Sequence, residues 1–198
     1  MAGRTRRPQD HFGDRAKREG YPARSVYKLQ EIDRRVQLLR RGQRVLDLGA
    51  APGSWTLYAA ERVGREGNVV SLDLNEIRVP LPPQVSARAL DVLRFDAAVE
   101  FGPSAFDVVL SDMAPHTSGQ RHRDQFSSYE LYTQALRIAC TVLTAGGAFV
   151  GKIFQGPELE NARAATREVF GNVRIVKPDA SRSESFEIFL VGQDRRVQ

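Results

Sequence analysis

The segment Val45-Leu-Asp-Leu-Gly-Ala-Ala-Pro-Gly-Ser-Trp55 constrains this chain more than any other, because an apolar strand runs straight into a glycine-containing turn and then a helix start. Gly49 and Gly53 let the backbone turn sharply and approach a ligand closely, and Ser54 is placed to cap a helix beginning at Trp55. Two phosphate-binding readings fail on spacing. A dinucleotide fingerprint needs a glycine where Ala51 stands, and a phosphate loop needs Gly-Lys-Ser/Thr where the chain has Gly53, Ser54 and Trp55. What remains is Asp-x-Gly-x-x-x-Gly, Asp47 to Gly53, followed by the apolar strand Val69-Val-Ser-Leu-Asp-Leu74, with Asp73 near its end. A carboxylate there can accept both ribose hydroxyls of an adenosine. The competing reading is a tight strand-to-helix turn with no ligand.

The rest of the chain repeats the alternation. Helical spacing of Val26, Leu29, Ile32, Val36 and Leu39 predicts an amphipathic helix over 25–39 with Ser25 as its cap. Strands are expected at 44–49, 68–74, 85–90, 106–112, 147–154, 172–177 and 185–192, and helices at 54–63, 92–100, 124–143 and 157–170. Alternating β and α segments imply a mostly parallel seven-stranded sheet with helices on both faces and ligands at the carboxyl ends of the strands. A short turn joins the last two strands, so the last strand should run antiparallel. This is an α/β, Rossmann-like expectation.

With 198 residues the chain fits one domain, expected over 25–198, preceded by a basic N-terminal arm over 1–24. That arm carries Arg4, Arg6, Arg7, Arg15, Lys17, Arg18 and Arg24 against Asp10, Asp14 and Glu19, so it holds nearly all of the chain's net charge of +5. Phosphate neutralisation by such residues supplies most non-specific nucleic-acid affinity, whereas many basic termini are only solvated tails. No apolar run reaches membrane-spanning length and the start lacks a secretory apolar stretch, so a cytoplasmic protein is expected. One cysteine, Cys140 in an apolar helical pattern, excludes an internal disulfide and reads as a buried thiol. His11, His116 and His122 are not spaced as metal ligands, so no metal is expected.

Charged residues stand where a packed sheet should not tolerate them. Asp112 ends Phe106-Asp-Val-Val-Leu-Ser-Asp112, Lys152 sits inside Gly147-Ala-Phe-Val-Gly-Lys-Ile-Phe154, and Glu187 interrupts Ser185-Phe-Glu-Ile-Phe-Leu-Val191 on the face of Phe189 and Val191. Lys28, on the apolar side of the first helix, is a fourth. An unpaired buried charge costs several kcal/mol, so each needs a partner or a function. A structural ion-pair network, or snorkelling to water, is the bland alternative for any one of them.

The Asp-x-Gly-x-x-x-Gly turn with its downstream Asp73 resembles the S-adenosyl-L-methionine (AdoMet) site of class I methyltransferases. Taken with the four charges, the chain closely resembles the FtsJ family of RNA 2′-O-methyltransferases, whose catalytic Lys-Asp-Lys-Glu tetrad matches Lys28, Asp112, Lys152 and Glu187. The resemblance spans nearly the whole chain, through Ala16-Lys-Arg-Glu-Gly-Tyr21, Tyr27-Lys-Leu-Gln-Glu-Ile32, Asp47-Leu-Gly-Ala-Ala-Pro-Gly53, Ser111-Asp-Met-Ala-Pro115, Lys152-Ile-Phe-Gln-Gly156 and Lys177-Pro-Asp-Ala-Ser-Arg182. Ser54 departs from the second glycine usual in bacterial members. The resemblance implies AdoMet contacts at Gly53, Trp55, Asp73, Asp91 and Asp112. Asp73 would take the ribose, Asp91 the adenine amino group, and Gly53 would admit the methionine end. For Trp55 an ordinary core aromatic is the alternative.

Methyl transfer to a ribose hydroxyl requires that the oxygen be aligned with the methyl group and relieved of its proton. An unperturbed lysine, near 10.4, is protonated at neutral pH, and apolar surroundings or a second ammonium are the influences that free it. The resemblance makes Lys152 the general base or the hydroxyl-positioning group, with Lys28, Asp112 and Glu187 as its frame. A small-molecule methyltransferase would have no use for a basic arm, and a non-catalytic assembly factor should have lost a tetrad residue. Compact length and the Lys152-Ile-Phe-Gln-Gly156 block resemble bacterial enzymes that methylate a uridine ribose of 23S ribosomal RNA, although relatives acting on tRNA share the tetrad. The expected partner is ribosomal RNA or the large subunit, met through the basic arm by a monomer.

Overall fold

The computed structural model describes residues 11–181 and 185–197. Arg4, Arg6, Arg7 and Asp10 of the basic arm, and Arg182, lie outside the described residues.

Seven strands, β1 (Arg44–Leu48), β2 (Asn68–Asp73), β3 (Val85–Ala89), β4 (Phe106–Ser111), β5 (Leu143–Phe154), β6 (Phe170–Val176) and β7 (Glu187–Arg195), form one sheet in the order β3-β2-β1-β4-β5-β7-β6. Neighbouring strands among the first five are parallel, and β7 slots between β5 and β6, antiparallel to both. The expected mostly parallel sheet with an antiparallel last strand is what forms.

Among the described residues six α-helices cover the sheet: α1 (His11–Arg18), α2 (Val26–Val36), α3 (Ser54–Val63), α4 (Ala97–Phe101), α5 (Arg121–Val142) and α6 (Leu159–Val169). Strand alternation sorts them. On one face Val108, Leu110, Val150 and Phe189 pack with Leu29 and Ile32 of α2 and with Trp55, Ala59 and Val63 of α3. On the other, Val109, Phe149, Ile188 and Leu190 pack with Ala97 of α4, Tyr132, Ala135 and Ala139 of α5, and Ala162 of α6. Each fully buried large side chain of this kind contributes about 1.5–3 kcal/mol.

Several local expectations are corrected. Ser25 makes no side-chain cap, and Gln37 takes a left-handed conformation (φ 52°) that ends α2 before Leu38 and Leu39. Asp33 holds that exit: its Oδ1 accepts from the Leu39 N–H at 2.8 Å, and its Oδ2 accepts from Tyr58 and Arg62 of α3. The helix expected at 92–100 is a 3₁₀ turn at Val92–Arg94 followed by α4, because Asp91 and Asp96 each turn a carboxylate onto backbone N–H groups two or three residues ahead. α1, which the polar arm did not announce, docks through Ala16, fully buried with Val26, Tyr27 and Ala180, and through Phe12 and Arg15, which lie 5.6 Å and 4.7 Å from the centre of the Tyr27 ring.

Candidate active site

β1, β2, β4 and β5 all point their carboxyl ends at one edge of the sheet, and β7, running the other way, starts there. Pairing of Ser111 with Gly151 puts Asp112 level with Lys152, and pairing of Phe154 with Glu187 brings the first residue of β7 to the same end of β5, two residues beyond Lys152 and on its face. Reading along the edge, Asp73 follows β2, the Gly49 turn follows β1, and Asp112, Lys152 and Glu187 come from β4, β5 and β7. Even-numbered residues of β4 and β5 face α2 and α3, so Asp112 and Lys152 share the face from which α2 presents Lys28. That is why four charges far apart in sequence meet.

They meet as two ion pairs. The Lys152 ammonium, only 6% exposed as a residue, donates to the Asp112 Oδ1 at 2.9 Å and to the Asp112 backbone oxygen at 2.5 Å. The Lys28 Nζ lies 2.5 Å from the Glu187 Oε1 and 6.0 Å from the ring centre of Phe189, the residue paired across the strands with Lys152. Neither lysine carries its charge into the protein alone, which answers the cost of burying it.

Among the clefts that the described residues form along this edge, two adjoin members of the tetrad. One, of about 300 Å³, is lined by Gly49, Ala51, Asp73, Asp91, Asp112 and Met113 among others. Asp73 is already engaged in shaping it: its Oδ2 accepts from the Ala51 N–H at 3.0 Å, and its Oδ1 from the Asn75 N–H at 2.7 Å and the Asn75 Nδ2 at 3.2 Å. Leu74 and Leu93 line the same cleft while 67% and 57% exposed, apolar surface suited to a flat ring. Their signal in the sequence is an apolar residue directly after, or two after, a strand-end carboxylate. The second cleft, about 270 Å³, is lined by Arg24, Ser25, Lys28, Ser185 and Glu187.

Gly53 and Trp55 line neither cleft. Gly53 caps α3 with φ 107°, and a Cβ there would meet the Ile77 Cγ2 at 2.8 Å. Trp55 is 2% exposed, packs 5.6 Å from Phe189, and donates its indole N–H to the Ser25 carbonyl at 2.8 Å. Its side chain is therefore core, and only its backbone N–H at the start of α3 is left for a ligand. Ser54 is not the cap expected of it. Its hydroxyl accepts from the Ala23 N–H at 2.8 Å and donates to the Ala23 carbonyl at 3.1 Å, tying the approach to α2 onto the turn. Gly49 is required by space as well as by φ, because a Cβ would stand 2.6 Å from the Met113 Cγ.

Beneath the turn, Asp47 is fully buried on β1, with its Oδ2 accepting from the Thr56 hydroxyl at 2.8 Å and its Oδ1 without a partner among the described residues. Burial foremost, then the nearby Asp112 and Asp73 carboxylates, push it up to about 7 from an ordinary 3.8, against the Thr56 hydrogen bond. Between those values the folded protein keeps a proton that the unfolded chain has released. Stability must therefore fall as pH rises through that window and level off above it, at most by about 1.4 kcal/mol per unit. Asp47→Asn removes the titration. Its denaturation midpoint relative to wild type should rise steadily from pH 5 to pH 7, and a constant difference would show that the carboxyl does not titrate there.

A seven-stranded sheet with one antiparallel strand inserted near its edge, and a carboxylate cleft at the carboxyl ends of β2 and β4, is the fold of the class I methyltransferases. Residues 21–195 match the FtsJ-like methyltransferase family, and the chain belongs to it. It is 52% identical over 190 residues to the ribosomal RNA large subunit methyltransferase E of Sorangium cellulosum, covering 95% of this chain and 89% of that one. It is 49% identical over 191 residues to the enzyme of that name from Oleidesulfovibrio alaskensis, covering 93% and 90%. A solved structure described as a ribosomal RNA methyltransferase from Plasmodium falciparum superposes with a TM-score of 0.77 at 24% identity, over 88% of this chain and 98% of that one, a likeness of fold. This chain is an enzyme of the methyltransferase class. Among the described residues no group of His, Cys, Asp and Glu could hold a metal, and no helix is long and apolar enough to cross a membrane.

Proposed function

We propose that this enzyme transfers a methyl group from S-adenosyl-L-methionine to the ribose 2′-oxygen of a uridine in 23S ribosomal RNA of the large subunit. The observation that carries the reading is the placement of the Lys152–Asp112 pair between two clefts, one suited to a nucleoside and one lined by Arg24 and Lys28. Relatives named ribosomal RNA large subunit methyltransferase E, about half identical over more than nine-tenths of this chain, support the substrate class.

The residues of the first cleft fit AdoMet. The carboxylates of Asp73 and Asp91 can accept from the ribose hydroxyls and the adenine amino group, and the exposed Leu74 and Leu93 can cover the base. Beyond that cleft's lining, the Gly53 turn with the first N–H groups of α3, Trp55 included, would receive the methionine carboxylate. When bound, AdoMet supplies an electrophilic methyl group on a sulfonium. Everything else falls to the protein. An ammonium has three hydrogens, and Lys152 gives two directions to Asp112. The position left over would be turned to the hydroxyl as that oxygen enters beside Asp112, held by donation from the ammonium or by acceptance at the amine. Asp112 lines the cofactor cleft while gripping Lys152, so it sets the amine's position relative to the methyl donor. Lys28, fixed by Glu187, adds positive charge on the RNA side.

The test is direct. Protein incubated with labelled AdoMet and large subunits from cells lacking the gene should place label as 2′-O-methyluridine in 23S RNA, and label on a base, or none, would overturn the reading. We further assign phosphate contacts to the basic arm over residues 1–24. Deleting residues 1–10 removes Arg4, Arg6 and Arg7 and leaves α1 whole, so AdoMet affinity should persist while RNA affinity falls. The slope of log affinity against log salt should become shallower by roughly 0.7 to 0.9 for each phosphate that is no longer neutralised. An unchanged slope would place the RNA footprint elsewhere.

A further inference from the structure

Next to the tetrad stands an aromatic side chain that the transfer chemistry does not use. Phe186 immediately precedes Glu187 and is 39% exposed. Its backbone is pinned: its carbonyl accepts from the Gln155 N–H at 2.8 Å, and the Gln155 carbonyl in turn accepts from the Gln125 side chain of α5. The ring stands edge-on to Phe154 at 6.3 Å between centres, 84° apart. Phe154 pairs across the strands with Glu187 and lies two residues beyond Lys152. From the first turn of α5, the Arg121 guanidinium lies 4.8 Å from the Phe186 ring centre, and Arg121 has no carboxylate partner among the described residues.

A lone exposed phenylalanine needs no explanation. This one is held rigid at the backbone, carries a cation with no carboxylate beside it among the described residues, and directly precedes Glu187 at the carboxyl edge of β5. A nucleotide supplies what both groups lack, a flat apolar face and a phosphate. Resting on the RNA reading above, we infer that Phe186 and Arg121 form a stacking platform for the nucleotide adjoining the methylated ribose, the base lying on the ring and guanidinium and the phosphate paired with Arg121. Such stacking tolerates any base, so the platform fixes the strand's position and leaves sequence choice to other contacts.

Steady-state methylation of protein-free 23S RNA tests this with Phe186→Ala, Phe186→Trp and Arg121→Gln. Phe186→Ala should raise the KM for RNA about 5- to 150-fold, the range for removal of one stacked base, with kcat and AdoMet affinity near wild type. Phe186→Trp, which restores a flat ring, should recover most of the KM. Arg121→Gln should make the salt slope of RNA affinity shallower by about 0.7. Because Phe186 is well exposed, its truncation should leave the thermal midpoint nearly unchanged, and AdoMet titration checks that the variant is folded. An unchanged KM in Phe186→Ala, with wild type active on RNA, overturns the platform and leaves the methyltransferase reading standing. Failure of wild type to methylate RNA at all overturns both. A defect seen only with assembled subunits, and not with protein-free RNA, would assign the surface to a ribosomal protein and overturn the nucleotide platform.

Discussion

Lys152→Ala should lose methyl transfer by roughly 10²- to 10⁴-fold, the usual scale for a positioned proton-transfer group, while AdoMet binds with near-normal affinity. The expectation rests on where the amine points. Lys152 touches Asp112 and lines neither cleft, so removing it takes nothing from the cofactor directly. Asp112, 16% exposed at its side chain, loses its counter-charge but can hydrate at the cleft edge, so the fold should survive. Lys152→Arg separates the two roles left to the lysine. A guanidinium can hold a hydroxyl in place but stays protonated at any working pH. Substantial activity in Lys152→Arg would mean that steering suffices, with no proton accepted at residue 152. Near-normal turnover in Lys152→Ala, measured with labelled AdoMet on large-subunit RNA, would remove Lys152 from the mechanism.

The order of strands and helices was legible because burial on both sides makes the inner parallel strands read as apolar runs, unlike the exposed edge strand β3, and the exceptions to that pattern, Asp112, Lys152 and Glu187, stood out. Their pairing was not. Only the insertion of β7 between β5 and β6, a long-range arrangement without a local signature, puts Glu187 on the face of Lys152, two residues beyond it, and within reach of Lys28. The capping expectation for Ser54 failed because a short hydroxyl side chain bonds whichever backbone group is nearest, here Ala23 in a segment 31 residues away, and that for Ser25 failed because its backbone is already helical (φ −57°, ψ −21°). α1 escaped notice because Phe12 and Ala16 are too few apolar residues, within His11–Arg18, to stand out from a polar arm. Trp55 fits a core role and a site role equally well by sequence, since both want a large residue at the start of α3. The structure gives its ring to the core. Leu74, Leu93 and Phe186 were missed for a different reason: exposed apolar residues gain meaning only from the clefts and charges beside them.

Asp73→Ala should weaken AdoMet binding roughly 100-fold or more, the second large effect. In the proposed complex Asp73 accepts from both ribose hydroxyls, and a hydrogen bond to a charged acceptor contributes about 1.5–3 kcal/mol. Asp73 also ties down the turn that receives the methionine end, through the Ala51 N–H, and the loop carrying Leu74, through the Asn75 N–H. The substitution therefore removes an acceptor and loosens two walls of the cleft at once. Asn75→Ala helps to apportion these, since it deletes only the 3.2 Å side-chain bond to Asp73 and leaves the carboxylate in place. Asp73→Asn keeps one acceptor oxygen and should fall between the two in calorimetric titration. If the ribose contact dominates, the order of affinity is wild type, Asn75→Ala, Asp73→Asn, Asp73→Ala, with the large steps at the last two. An Asn75→Ala variant as weak as Asp73→Ala would make the carboxylate a brace of the loop, and unchanged affinity in Asp73→Ala would mean that the cofactor's ribose does not lie at the end of β2.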